Sequence, residues 1–129
     1  MGRALLFAAA ALLLATAGLH AAGASMVDAW LEGLGPDRRA GLRLVWLTDS
    51  IDWAVVAILW ALAAWKREPG WLGAAAVATL IPAAVAIGIL AIDPGFFGGW
   101  MLLASVALAL TGQWLLRRAR SHRRGGEYR

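Results

Sequence analysis

The chain has 129 residues, of which 61% are hydrophobic and 16% charged, and its net charge is +4. This share of apolar residues exceeds what a soluble core needs, and the length leaves no room for a second, globular domain. Because the chain has no cysteine, disulfides, thiolate metal sites and dithiol redox chemistry are excluded.

Four apolar runs occupy most of the chain, and each has about the 20 residues that a helix needs to cross a bilayer core of roughly 30 Å. They cover residues 4–22, 45–65, 71–92 and 96–116. The connections 66–70 and 93–95 are short, so consecutive helices should form antiparallel hairpins. We therefore predict an all-α fold, with one integral membrane domain over residues 1–129 built as an antiparallel four-helix transmembrane bundle.

The first apolar run also has a second interpretation. Arg3, the apolar stretch 5–17 and the small residues 22–24 together resemble a secretory signal peptide with its cleavage site. The run is nevertheless long enough for a full span, so we expect it to remain as the first helix. The alternative is cleavage after Ala24, which would leave three helices.

The loop between the first two spans carries an amphipathic pattern over residues 25–34, where Val27, Trp30, Leu31 and Leu34 share one face. This pattern predicts a short helix lying at the membrane surface. Two acidic residues are then placed to cap helices that enter the membrane. Asp37 would cap the second span, and Asp93, which precedes a proline, would cap the fourth.

Basic residues are concentrated at one end of the predicted bundle. Nine of the twelve lie on the side of the two termini, and only Arg38, Arg39 and Arg43 lie on the other. The positive-inside rule therefore predicts cytoplasmic termini, and the alanine- and arginine-rich composition suits a multi-pass protein of a bacterial inner membrane. In the basic tail, residues 117–129, we expect lipid headgroup anchoring rather than nucleic-acid binding. The anchoring residues would be Arg117, Arg118, Arg120, Arg123 and Arg124.

Tryptophan occurs eight times, and three of these residues follow a pattern. Trp46, Trp53 and Trp60 are spaced by seven, which places them along one stripe of the second span. We interpret the stripe as a surface that packs against lipid or a partner subunit, with an aromatic wall for a pigment or quinone as the alternative.

Two features of the last spans predict how their helices pack. Pro82, in the middle of the third span, lacks a backbone donor and should kink the helix. Small residues four apart should allow close helix contacts. These pairs are Ala74 with Ala78, Ala84 with Gly88, and Ser105 with Ala109.

Ionisable residues inside the spans are the candidates for chemistry, because charges in a bilayer are costly. Asp49 and Asp52 share a face of the second span, and His20 lies near the same end of the first. Two carboxylates so close together need compensation by a proton, a cation or the arginines just outside the span. His20, Asp49 and Asp52 thus form a candidate proton or cation site, and we identify neither a catalytic residue nor a metal-binding signature.

These patterns favour a non-catalytic accessory or scaffold subunit of a larger membrane complex, in contact with membrane lipids and with other subunits or copies of itself. The alternative is a small channel or transporter that couples to ions or protons through Asp49 and Asp52. A weaker alternative is a lipid-modifying membrane enzyme that uses the same carboxylates as acid and base. The sequence identifies no cofactor, although the tryptophan stripe would suit contact with a lipid or pigment.

Overall fold

The computed structural model describes the backbone of residues 1–126 and the side chains of residues 1–121. This part of the chain forms six helices: α1 (Gly2–Ala22), α2 (Ala24–Trp30), α3 (Pro36–Lys66), α4 (Pro69–Ala78), α5 (Leu80–Ile92) and α6 (Phe97–Gly126). Four helical stretches are long and apolar enough to cross a membrane, namely Gly2–Trp30, Pro36–Lys66, Pro69–Ile92 and Phe97–Ser121. The predicted all-α, four-helix membrane fold is confirmed.

The short helix α2 is smaller than the predicted surface helix. It ends at Trp30, and a turn leads from there to Pro36. Val27 is buried while Trp30 is exposed, so only part of the predicted apolar face packs on the bundle. Asp28 binds Arg43 of α3 across 3.3 Å, which holds α2 against the start of the second span.

Neither predicted acidic cap forms. α3 begins at Pro36 with Gly35 as its N-cap, because the fixed φ of proline already suits the first helical position. The Asp93 carboxylate accepts a hydrogen bond of 3.0 Å from the backbone N–H of Gly95, so it closes the turn before α6 rather than capping α6 itself.

The third span is interrupted at Thr79, which separates α4 from α5. Pro82 follows three residues later and is buried. Since proline has no N–H, the carbonyl of Ala78 lacks the hydrogen bond that the next helical turn would supply. The fourth span, in contrast, runs past residue 116 as a continuous helix into the basic segment.

The spans form a ring. α1 packs between α3 and α6, α4 packs on α3, and α5 packs on α6. We call the end of the ring that holds Gly2 and the α3–α4 connection the terminal end. The opposite end, which holds His20 and the α5–α6 turn, is the distal end.

At the terminal end α1 and α6 approach so closely that only glycine fits. A Cβ atom on Gly112 would lie 2.9 Å from the carbonyl oxygen of Gly2, and one on Gly2 would lie 2.8 Å from that of Gly112. Of the predicted small-residue pairs, Ser105 and Ala109 are fully buried in the bundle. Ala84 and Gly88 instead face outward, so that expected seam lies on the surface of this chain.

Candidate functional site

The bundle is closed by α4 at the terminal end but not by α5 at the distal end. α5 leans on α6, where Gly99 lets Leu90 approach: a Cβ on Gly99 would lie 2.9 Å from the Leu90 side chain. α5 makes little contact with α3. The interruption at Thr79 is therefore the point beyond which the third span leaves its neighbour, and a gap opens between α3 and α5.

A pocket of about 530 Å³ occupies this gap, and we call it the distal pocket. Its floor is made of buried side chains, among them Thr16, Trp53 and Leu102. Its rim consists mainly of exposed apolar side chains, and Asp93 adds one exposed carboxylate beside the α5–α6 turn. The apolar members are Leu19, Met26, Trp30, Ile92, Phe96 and Phe97. The volume falls within the range of small-molecule sites. An apolar rim on a membrane-spanning bundle suits a molecule that arrives from the lipid phase.

His20 provides the distal pocket with its central polar group. Its ring stacks on Trp46 with centroids 3.9 Å apart and an interplanar angle of 10°, and Trp53 lies tilted at 4.7 Å. Nδ1 lies 2.9 Å from the hydroxyl of Ser50, which is buried in α3. The backbone carbonyl of His20 accepts a bond of 2.7 Å from the Trp46 indole N–H. The ring is therefore held by two indole rings and at one nitrogen.

The hydroxyl of Ser50 has a different kind of hydrogen-bond partner from most other helical hydroxyls of the bundle. Those of Thr16, Thr48, Ser105 and Thr111 each donate to the carbonyl four residues earlier. Ser50 instead bonds the His20 ring. If its O–H donates to Nδ1, the proton of the neutral imidazole lies on Nε2, which has no partner among the described residues. His20 then offers one N–H donor.

The structure places only two of the three residues of the predicted proton or cation site near each other. Asp49 is half-buried, next to Ser50, and lies near enough to His20 for an electrostatic interaction. Asp52 is exposed on the outside of α3. Among the described residues, no three His, Asp or Glu side chains form a group that could hold a metal ion.

The arginines considered as counter-charges for these carboxylates have other partners. Arg43 pairs with Asp28, and the guanidinium of Arg39 donates to the carbonyl of Glu32 across 3.0 Å. Both contacts lie at the junction of α2 and α3, and each holds the loop that joins the two helices.

The tryptophan stripe lies inside the bundle rather than on a lipid-facing or partner-facing surface. Trp53 and Trp60 are buried, and Trp46 is half-buried against His20. The Trp60 indole N–H donates to the Thr79 hydroxyl at 3.1 Å and to the Ala75 carbonyl at 3.3 Å. The side chain of Gln113 donates to the same hydroxyl at 3.2 Å. This network ties three spans together around the interruption at Thr79.

The basic segment begins where α6 reaches the terminal end of the ring. Arg117 donates to the carbonyl of Leu72 at 3.2 Å, and the guanidinium of Arg118 lies 5.2 Å from the centre of the Trp114 ring. The side chains of Arg123 and Arg124 lie outside the described residues. Anchoring of this segment on lipid headgroups stays a prediction.

Several residues that line the distal pocket or hold its histidine could not be recognised from the sequence. Ser50 carries no charge and gave no signal beside Asp49 and Asp52. Phe96, Phe97 and Met101 were counted only as parts of an apolar span or its edge. One signal was present, since His20 and Ser50 both lie near the distal ends of antiparallel spans, which places them at similar depth.

No protein-family model, curated protein or solved structure matches the chain. The fold and the distal pocket are therefore the basis for any functional proposal.

Proposed function

We propose that this protein is a non-catalytic membrane protein that binds a lipid-like molecule in the distal pocket. The ligand has an apolar body and at least one oxygen that accepts a hydrogen bond, such as a carbonyl. The observation that supports this is the combination of a mostly apolar, open-sided pocket with one firmly held histidine, while the carboxylate of Asp93 at the rim is engaged by the Gly95 N–H. Most ligand sites share this design of apolar walls and a few placed polar groups.

The polarity of the ligand follows from the contacts of His20. We assign the Ser50 hydroxyl as the donor to Nδ1, because it has no other hydrogen-bond partner among the described residues. Nε2 then carries the proton and needs an acceptor. The stacked Trp46 ring prevents the imidazole from turning over freely, so this donor keeps its direction. A pure hydrocarbon would leave the donor unpaired in an apolar site, which is unfavourable by on the order of 1–3 kcal/mol.

We further propose that the protein lies in a bacterial inner membrane with both termini in the cytoplasm. The support is the excess of basic residues on the side of the bundle that holds both termini, nine against three on the other side. In this orientation the distal pocket opens in the outer leaflet of that membrane.

The first experiment is purification in a mild detergent followed by organic extraction and mass spectrometry of what the protein retains. We expect one lipid-like compound in a near-stoichiometric amount. Met101→Trp, which fills the distal pocket, should abolish retention. Leu110→Trp places the same side chain on an exposed site of the same helix and should retain the compound. Equal retention by both variants would overturn the proposal.

A second pair of variants tests the role of His20. His20→Phe keeps an aromatic ring but has no N–H, so it should lose the retained compound. His20→Gln can place an amide N–H near the position of Nε2 and should keep at least part of it. If both variants retain the compound fully, then His20 does not recognise it.

A different observation favours the accessory-subunit hypothesis. Asp52 is exposed on the outer face of α3, between the exposed apolar residues Ile51 and Val55. A carboxylate on such a face is costly in lipid and would be stabilised by a polar or basic group of a partner subunit. Asp52→Leu should then release a stoichiometric partner from the purified particle, while Asp37→Leu, outside the predicted span, should not. A native particle mass equal to that of this chain alone would refute the hypothesis.

A further inference from the structure

A second pocket lies at the junction of α2 and α3, apart from the distal pocket. Its volume is about 480 Å³, and we call it the arginine pocket. Arg39 and Arg43 line it from successive turns of α3, so both guanidinium groups lie on one side of the helix. Asp28 is the acidic member of the lining, and the apolar wall consists of Leu34, Leu44 and Leu47.

Both guanidinium groups are held in place, yet both have donors to spare. Arg39 uses one terminal nitrogen for the Glu32 carbonyl, and its buried Nε has no partner among the described residues. Arg43 reaches Asp28 through one nitrogen at 3.3 Å. A guanidinium carries five N–H donors in a planar fork, so each arginine keeps terminal N–H groups that can bind an oxyanion.

The depth of the arginine pocket matches that of lipid headgroups. The apolar part of the second span begins at Val45, and α3 rises by about 1.5 Å per residue. Arg43 and Arg39 therefore lie roughly 3 Å and 9 Å beyond the hydrocarbon edge. The headgroup layer extends about 5–8 Å on each side of the core, so the backbone of Arg43 lies within it and that of Arg39 lies just beyond its outer edge. A phosphate of the lipid bilayer is thus the oxyanion at the right level.

We propose that the arginine pocket binds the phosphodiester of one anionic phospholipid, with a headgroup such as that of phosphatidylglycerol. Among the side chains that line the pocket, two arginines and Asp28 sum to one positive charge, which matches the single negative charge of such a lipid. A zwitterionic lipid brings no net charge and leaves the excess in place. The leucine wall contacts the glycerol and the first methylene groups. This site does not depend on the function proposed for the distal pocket.

The experiment is native mass spectrometry of the whole protein in a mild detergent, titrated with phosphatidylglycerol or phosphatidylcholine of equal chain length. We expect one molecule of phosphatidylglycerol to bind, with at least about tenfold preference over phosphatidylcholine. The double variant Arg39→Gln/Arg43→Gln should lose this preference. Arg38→Gln removes a neighbouring, exposed charge that does not line the pocket and should keep it.

Any one of the following three results would overturn the proposal. If the unchanged protein binds the two lipids equally, the proposal is refuted. This test needs no variant, so it remains valid even if the double variant fails to fold. An equal loss in Arg38→Gln would mean that only the general charge of the region matters. Displacement of the lipid by millimolar inorganic phosphate would show a site for free phosphate instead of a lipid. Thermal unfolding of each variant serves as the control for folding.

Discussion

The two halves of the bundle are built from the same four spans but differ in how they are closed. At the terminal end, α1 and α6 meet backbone to backbone at Gly2 and Gly112, and Trp60 is fully buried. At the distal end, the equivalent space between α3 and α5 is a pocket, and Trp46 is only half-buried. The same stripe of tryptophans therefore fills a core in one half and forms a wall in the other.

The difference between the halves originates in the third span, which consists of α4 and α5. Thr79 receives hydrogen bonds from Trp60 and Gln113 at the last point where that span is held against α3 and α6 together. Beyond it, the missing N–H of Pro82 interrupts the helical hydrogen bonding and α5 packs on α6. A closed, rigid half thus supports an open one, which is how a binding site keeps its shape.

The largest effect should come from truncating a tryptophan in the closed half. Trp60→Ala removes a fully buried side chain and should lower the free energy of unfolding by about 3–5 kcal/mol. Trp46→Ala should cost roughly half of this or less, because part of its ring already faces the distal pocket. Reversible unfolding in mixed micelles, followed by circular dichroism, measures both values. Equal losses would mean that the distal half is as tightly packed as the terminal half.

A smaller effect is expected for an added methyl group in the closed half. The Cβ of Gly112→Ala would lie 2.9 Å from the Gly2 carbonyl oxygen and 3.0 Å from the Leu6 nitrogen. Because these are backbone atoms, α1 and α6 must separate, at a cost of about 1–3 kcal/mol. Gly88→Ala is the matched control, since apart from the backbone of its own helix nothing lies within 4 Å of its Cβ. It should be neutral or slightly stabilising. The same unfolding assay compares them, and a neutral Gly112→Ala would contradict the close contact.

Thr79→Val tests the hydrogen-bond network with almost no change of volume. It removes the hydroxyl that accepts from Trp60 and Gln113, and Gln113 is then left without this acceptor in a buried site. We expect a loss of about 1–2 kcal/mol, near the upper end for hydrogen bonds in membranes. Thr79→Ser keeps the hydroxyl and should recover most of the network energy. If serine and valine are equally destabilising, then the hydroxyl does not hold the three spans together.

Much of the fold could be predicted from the sequence, because four long apolar runs and short connections leave few alternatives. The rotation of each helix about its own axis, which decides which face is buried, could not be predicted. Ala84 with Gly88 and Ser105 with Ala109 have the same spacing, yet the first pair faces outward and the second is buried. Helices that are apolar all around carry no amphipathic signal that would tell these faces apart.

The candidate site was predicted less well for the same reason. His20 and Asp49 were placed at the correct end, but the importance given to Asp52 depended on which side of α3 it occupies. The bond between His20 and Ser50 depends on how α1 is rotated against α3. The distal pocket depends on the direction in which α5 leaves the bundle, and Pro82 predicts an interruption without predicting a direction.

The smallest effect is expected for Ser50→Ala, which removes one interhelical hydrogen bond from the open half. Such bonds contribute about 0.6 kcal/mol on average in membrane proteins, and His20 keeps its stacking on Trp46. Thr48→Ala is the control, since its hydroxyl bonds only the carbonyl of Leu44 in its own helix. A loss above about 2 kcal/mol for Ser50→Ala would exceed that of an ordinary membrane hydrogen bond. The distal half would then be held by a polar network comparable with that around Thr79, and the contrast between the two halves would fail.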